Sequence, residues 1–287
     1  MNFYYSPLRY PGGKSKISEY VIDLIINNNM RGCVYIEPFA GGASVALRLI
    51  MDDVCSKAII NDKDRSIYAF WYSVKYYNNE LCELIQKTQI TVDEWYNQKE
   101  IQKNKETADL LSLGFSTFFL NRVNRSGILI AGIIGGKNQS GEYLMSARFN
   151  KIELINRIKR ISHISDKLEI YNLDAIDFIN EINSRYTRNC FYYLDPPYYV
   201  KGKGLYMNYY TDNDHKDILN AVKKLSNHKW IISYDNVDFI RNLYNKFRTS
   251  EFFLNYFASS HSKGKEVLIY CDNMTIANTD VLRKVSQ

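Results

Sequence analysis

At 287 residues, with 46% hydrophobic and 24% charged side chains, the chain has the size and composition of one ordinary α/β domain carrying an insertion. No run approaches the ~20 apolar residues of a membrane span and no charged-then-apolar leader opens the sequence, so a cytoplasmic protein that does not touch membranes is expected. Five scattered cysteines without C-x-x-C spacing and four histidines without ligand spacing argue against a disulfide framework or a zinc site, and the cysteines are expected to be reduced, buried and inert.

Taken in chain order, the first features are Tyr10-Pro11-Gly12-Gly13-Lys14 and then an apolar run, Val34 to Phe39, that reads as a strand. It ends in Gly41-Gly42, and Ala43 to Met51 follows with apolar residues at 45, 46, 49 and 50, as in a helix. Glycine lets a ligand approach the backbone, and a helix start offers unpaired N–H groups to an anion. Ala58 to Ile60 predicts a second strand, ending in Asn61-Asp62-Lys63-Asp64. A carboxylate at that tip is where a ribose diol is held in a βαβ nucleotide site. Residues 41 to 46 read Gly-Gly-Ala-Ser-Val-Ala, so the G-x-G-x-x-G of a nicotinamide dinucleotide fold is missing.

From about 66 to 150 the strand and helix rhythm breaks. The first half is polar and helical in composition, with sparse apolar residues such as Leu81, Leu84, Ile85, Trp95, Leu110 and Leu113. The second half holds Asn121-Arg122-Val123-Asn124-Arg125-Ser126-Gly127, an apolar stretch from Ile128 to Ile134, and the polar, glycine-rich Gly135 to Gly141. Between Asn121 and Arg160 eight Lys or Arg face two acids, a surplus of six that equals the net charge of the whole chain. Interleaved with Asn, Gln and Gly, these bases suit phosphates and base edges better than a merely solvated face.

The rhythm then resumes. Helices are expected at Asn150 to Ile161 and Asp214 to Leu225, and strands at Glu169 to Tyr171, Phe191 to Leu194, Lys229 to Ser233, Phe252 to Tyr256 and Val267 to Tyr270. That makes seven strands in a largely parallel sheet, the last two forming an antiparallel hairpin.

The most informative residues are Asp195-Pro196-Pro197-Tyr198, directly after the apolar run Cys190 to Leu194. The exocyclic nitrogen of a nucleobase is a poor nucleophile because its lone pair is delocalised into the ring. A carboxylate at Asp195 accepting one N–H and the Pro196 carbonyl accepting the other would localise that lone pair, with Tyr198 stacked on the base. The two prolines fix the backbone that presents these groups. Of the 24 tyrosines, most are read as amphipathic packing, with Tyr199 and Tyr210 as further candidates to line a base pocket.

Together Tyr10-Pro11-Gly12-Gly13-Lys14, Glu37-Pro38-Phe39-Ala40-Gly41-Gly42-Ala43-Ser44 and Asp195-Pro196-Pro197-Tyr198 resemble, in order and separation, the Dam-type adenine-N6 DNA methyltransferases over nearly the whole chain. The resemblance implies a Rossmann-like, seven-stranded, mostly parallel methyltransferase sheet from residues 1–65 and 151–287, with a mainly helical target-recognition domain inserted at 66–150. It also implies S-adenosyl-L-methionine as cofactor, its methionine part held by Tyr10, Gly12, Lys14, Glu37, Phe39 and Gly41, its ribose by Asp62, and its adenine near Asp174. Asp195, Pro196 and Tyr198 become the catalytic grip on a flipped adenine. Arg122, Asn124, Arg125, Lys137 and Arg148 become DNA contacts, joined by Lys263 and Lys265 from the basic stretch Ser259 to Lys265. The sequence departs from the family where Gly-x-Gly is common and this chain has Gly41-Gly42-Ala43. No metal is implied. The expected partner is double-stranded DNA, acted on by a monomer or weak dimer, with a separate cognate restriction endonuclease as a compatible companion. Methylation of cytosine N4, an RNA substrate, and a degenerate homologue that only binds DNA are the alternatives.

Overall fold

The computed structural model describes residues 5–9, 17–200, 210–255, 263–279 and 282, with only the backbone of 253–255 and 263–264. Among these residues seven strands form one sheet: β1 (Cys33–Glu37), β2 (Cys55–Asn61), β3 (Leu168–Tyr171), β4 (Cys190–Leu194), β5 (Lys229–Asp235), β6 (Arg248–Asn255) and β7 (Lys263–Tyr270). Their order is β3-β2-β1-β4-β5-β7-β6. β1 pairs in parallel with both β2 and β4, β4 pairs in parallel with β5, and β7 runs antiparallel to β5 and β6. All seven expected strands are present, and the final hairpin inserts β7 beside β5. Tyr256, the expected end of the sixth strand, lies outside the described residues.

By internal contacts the chain divides into two compact units. One comprises Gly12–Asn61 and Leu173–Gln287. It contains α1 (Ile17–Asn27), α2 (Ser44–Met51), α8 (Ala175–Arg185), α9 (Asp212–Lys223) and α10 (Asp238–Leu243). Its central strand β4, Cys-Phe-Tyr-Tyr-Leu, is buried along its whole length, as a strand covered on both faces must be. α9 begins with a capping box in which Thr211 and Asp214 each satisfy the other's backbone N–H.

The other unit comprises Met1–Pro11 and Asp62–Asn172. It contains α3 (Arg65–Tyr76), α4 (Asn78–Lys87), α5 (Val92–Lys103), α6 (Leu110–Val123) and α7 (Lys151–Ser162). It is larger than the 66–150 insertion expected from composition, because α7 and the N-terminal residues are tied into it. Asn78 of α4 donates to the Ile158 carbonyl, Arg157 donates to the Ser6 carbonyl, and Asn121 exchanges two 2.7 Å bonds with the backbone of Arg9. Its core is built on α6, buried on every side from Leu113 to Val123, as befits a helix apolar all round. Phe118 stacks on Phe70, and both Phe118 and Phe119 meet Phe149. Gly114 permits the crossing of α6 with α3, since a Cβ there would lie 2.5 Å from the Ala69 carbonyl oxygen. No helix among the described residues is long and apolar enough to cross a membrane.

Candidate active site

β1 and β4 are adjacent and parallel, yet the chain leaves them for opposite sides of the sheet, β1 toward β2 and β4 toward β5. Such a switch point opens a crevice at the carboxyl ends of the strands, where ligands of open α/β sheets bind. Glu37 is the last residue of β1, and Asp195 directly follows β4. The two carboxylates therefore flank the crevice from neighbouring strand ends. Glu37 is 4% exposed and Asp195 is half-buried.

The Asp-Pro-Pro-Tyr segment is held from below by β5. Ser233 Oγ lies 2.7 Å from Asp195 Oδ1 and 3.1 Å from the Tyr193 hydroxyl. Asp235, 4% exposed, accepts the backbone N–H of Tyr199 with Oδ1 and that of Val200 with Oδ2, each at 2.9 Å. The Tyr198 ring is half-buried, while its hydroxyl is enclosed beside Asp195 and Glu266. Burial first, and then those carboxylates, push that phenol well above its ordinary pKa. The Tyr198 hydroxyl is thus shut away from solvent beside two carboxylates. Ser233, Asp235 and Glu266 were not among the residues expected from sequence.

Around them runs an aromatic cluster. Tyr199 stacks on Phe239 at 4.4 Å, Tyr210 meets Phe39 edge-on at 6.1 Å, and both tyrosines contact His215. His215 is wholly buried, with Nδ1 2.9 Å from the Tyr234 hydroxyl. Burial lowers its pKa, an effect that Asp235, Asp214 and Asp212 oppose.

On the β1 side, the turn after Glu37 places Gly41 at φ 46° and Ala43 at φ 45°. The second is a left-handed conformation that costs an L-residue about 1–2 kcal/mol. It falls where the methyltransferases that the sequence resembles commonly carry the second glycine of Gly-x-Gly, and glycine adopts this conformation without that cost; the buried Ala43 methyl recovers part of it. Ala43 caps α2 without a side-chain bond, so no side chain of the cap covers the first N–H groups of the helix. Phe39 is half-buried. Asn61, the last residue of β2, ties this turn down: its Nδ2 donates to the Pro38 carbonyl and its own carbonyl accepts from Ala40. Asp174 caps α8, accepting from the Ile176 N–H at 3.0 Å. In the helical unit, Asp62 is half-exposed and accepts from the Asp64 N–H at 2.9 Å. Tyr10, Gly12 and Lys14 lie outside the described residues, as does most of the basic stretch Ser259 to Lys265, including the Lys263 side chain.

For the expected DNA contacts the structure makes two corrections. Arg122 is 8% exposed, and its guanidinium donates to the carbonyls of Arg148 and Pro7. Burial, then repulsion from Arg9 and Arg157, lowers its pKa to about 9. Asn124 is fully buried; its Oδ1 accepts from the Trp95 indole and its Nδ2 donates to the carbonyls of Ile128 and Leu129. Neither side chain faces a base edge, because both are committed to backbone and core partners. What they build is a loop. Arg125 N–H donates to the Gly132 carbonyl and Ile134 N–H to the Val123 carbonyl, so residues 123–125 and 132–134 run as a short antiparallel ribbon closed by Asn124. Arg125 and Ile130 are exposed on it. Lys137 and Arg148 are exposed too, Lys137 with Nζ 5.6 Å from the centre of the Tyr96 ring. In the other unit, Lys265 is exposed and paired with Glu251 at 2.9 Å.

A strand-end crevice at the switch point of a mostly parallel seven-stranded sheet, with an Asp-Pro-Pro-Tyr segment on its central strand, defines a nucleotide-handling α/β enzyme. Residues 10–254 match the D12 class N6 adenine-specific DNA methyltransferases, and the chain belongs to that family. It is a methyltransferase acting on adenine N6 in DNA, and the family's chemistry implies a methyl donor. Among curated relatives, the type II methyltransferase M.MjaIII of Methanocaldococcus jannaschii is 26% identical over 264 residues, covering 84% of this chain and 88% of the relative. The modification methylase StsI of Streptococcus sanguinis is 27% identical over 254 residues; the match covers 81% of this chain but only 35% of that protein.

Proposed function

We propose that the enzyme uses S-adenosyl-L-methionine and acts on an adenine turned out of double-stranded DNA into the crevice between β1 and β4. The observation that carries this reading is the placement of Glu37 and Asp195 at the ends of adjacent strands across the switch point. The residues present fit such a cofactor: a buried carboxylate at Glu37 suits a cationic amino group, and the turn at Gly41 leads into a helix whose cap uses no side chain. Asp62 would hold the ribose and Asp174 would lie near the adenine, with the Tyr10 to Lys14 segment completing the methionine contacts. Bound there, the sulfonium supplies an already activated methyl group, so the protein's own work is positioning and electrostatics.

Asp195 and the Pro196 carbonyl accept the two N6 hydrogens and localise the nitrogen lone pair, while the Tyr198 ring, fixed by its buried hydroxyl, stacks on the base. N6 cannot be approached in line while the base remains in the helix, which is why the base leaves the stack. The helical unit is the target-recognition part, with Arg125 reading a base edge and Lys137 and Arg148 meeting phosphates. A DNA substrate supports the reading of a cytoplasmic enzyme. Asp195→Ala should abolish methyl transfer to plasmid DNA while calorimetry still shows cofactor binding, and nucleoside analysis of the wild-type product should show N6-methyladenine. Turnover within a few-fold of wild type in Asp195→Ala would sink the assignment.

A further inference from the structure

Two polar side chains on β5, Ser233 and Asp235, stand two residues apart and meet the same segment, although the reaction as described gives them no part. A serine hydroxyl carries one hydrogen, and an ionised carboxylate only accepts. Ser233 at 2.7 Å from Asp195 Oδ1 therefore donates to it, and the bond at 3.1 Å from Tyr193 must be donated by the phenol. The result is a one-way chain from Tyr193 through Ser233 to Asp195. Ser233 and Tyr193 are both fully buried, so a broken link would leave a polar atom without solvent to replace it. Asp235 acts on the other end of the segment: its two oxygens each take one consecutive backbone N–H, of Tyr199 and Val200. Pro196 and Pro197 have no N–H to offer, so holding the chain by its backbone must begin after them.

We infer that Ser233 and Asp235 are positioning residues for methyl transfer, Ser233 setting the plane and direction of the Asp195 carboxylate and Asp235 fixing the chain that leaves Tyr198. Fixing Oδ1 fixes where Oδ2 points, and with it the line along which the amine is held. The inference rests on Asp195 being the acceptor of the target amine.

The test measures single-turnover methylation of a DNA duplex bearing the site, cofactor affinity by calorimetry, and thermal unfolding for each variant. Ser233→Ala should slow the methyl-transfer step ~10- to 100-fold, the scale of an ångström-level misplacement, with cofactor affinity unchanged. Ser233→Thr, which keeps the hydroxyl, should recover most of that loss, and Asp235→Asn should slow the same step while leaving cofactor affinity alone. Full-rate transfer by Ser233→Ala beside an inactive Asp195→Ala would overturn the positioning role and leave the Asp195 assignment standing. A loss in Ser233→Ala that Thr does not recover and that tracks the unfolded fraction would overturn it as well. Activity in Asp195→Ala would instead remove the reading on which it rests.

Discussion

Asn61 and Leu173 grip each other in both directions: Asn61 Nδ2 donates to the Leu173 carbonyl at 3.1 Å, and Asn61 Oδ1 accepts the Leu173 N–H at 2.9 Å. One side chain thereby does for the segment after β3 what a neighbouring strand would do. The same Nδ2 also reaches the Pro38 carbonyl at 3.0 Å, so the end of β2 holds the β1 turn and the approach to α8 together.

Replacing Asn61 by Ala would leave the buried Pro38 carbonyl and the part-buried N–H and carbonyl of Leu173 without this partner, the buried group costing about 1–3 kcal/mol and the others less. We expect Asn61→Ala to lower the unfolding free energy by roughly 3 kcal/mol or more, read as a shift in urea midpoint at unchanged m. It should also weaken cofactor binding, because the turn through Gly41 loses one of its two tethers to Asn61. An unchanged midpoint would mean that water replaces the amide at no cost.

Arg122 and Arg125, three residues apart, should fail in different ways. Arg122→Ala removes a buried guanidinium from two carbonyls, so it should lower the melting temperature by several degrees, on the order of 2 kcal/mol. Arg125→Ala should leave melting untouched and narrow discrimination between the preferred site and single-base variants by ~1–3 kcal/mol at one position. A panel of variant duplexes assayed at several salt concentrations separates the two. Equal discrimination by Arg125→Ala and wild type would move base reading to other residues of the loop or to Gly135 to Arg148.

The five cysteines are all buried as free thiols. Burial pushes the Cys33 and Cys190 thiols up to about 12, so almost no thiolate exists at neutral pH. Native protein treated with an alkylating agent at pH 8 should therefore show little labelling by intact mass, and five adducts after denaturation. Rapid modification of any cysteine in the native state would contradict this.

His215 ties stability to pH. Its folded pKa is held below the ordinary 6.5 by burial, so below that value the unfolded chain binds the proton more readily than the folded one. The contribution of neutral His215 is complete above about pH 6.5 and is lost progressively as the pH falls toward its folded pKa. His228 is lowered for the same reason and adds to the trend. Melting temperatures between pH 7.5 and 5 should fall less steeply in His215→Gln than in wild type. Parallel slopes would show that carboxylates, not this imidazole, govern the decline.

All seven strands were legible because an apolar run bounded by turn residues is a local signal, and Asp195-Pro196-Pro197-Tyr198 was legible because its chemistry is contiguous. What the sequence hid was of two kinds. Ser233 and Asp235 look like ordinary alternation on a strand; only the pairing of β5 with β4 brings them to Asp195, Tyr199 and Val200. Arg122 and Asn124 mislead in the opposite sense, since a polar cluster next to basic residues suggests a surface. Their burial follows from α6 being central to its unit, a tertiary fact that the aromatic spacing of Phe115, Phe118 and Phe119 hinted at. The 66–150 boundary was drawn on composition, which does not register that Arg157 and Asn121 reach back to Ser6 and Arg9.

The adjacency of β1 and β4 also bears on how the chain is made. Some 150 residues separate Glu37 from Cys190, so the two innermost strands cannot meet until almost all of the helical unit has left the ribosome. Loop closure of that length is slow to be rewarded, and during the wait the β4-facing edge of β1 is an unpaired apolar template. The helical unit, whose own partners are mostly nearby in sequence apart from residues 6–9, can settle first. A nick in its exposed loop at Gly136 to Ser140 should accordingly yield two fragments that, co-expressed, reassemble into an active enzyme more readily than fragments cut between β4 and β5.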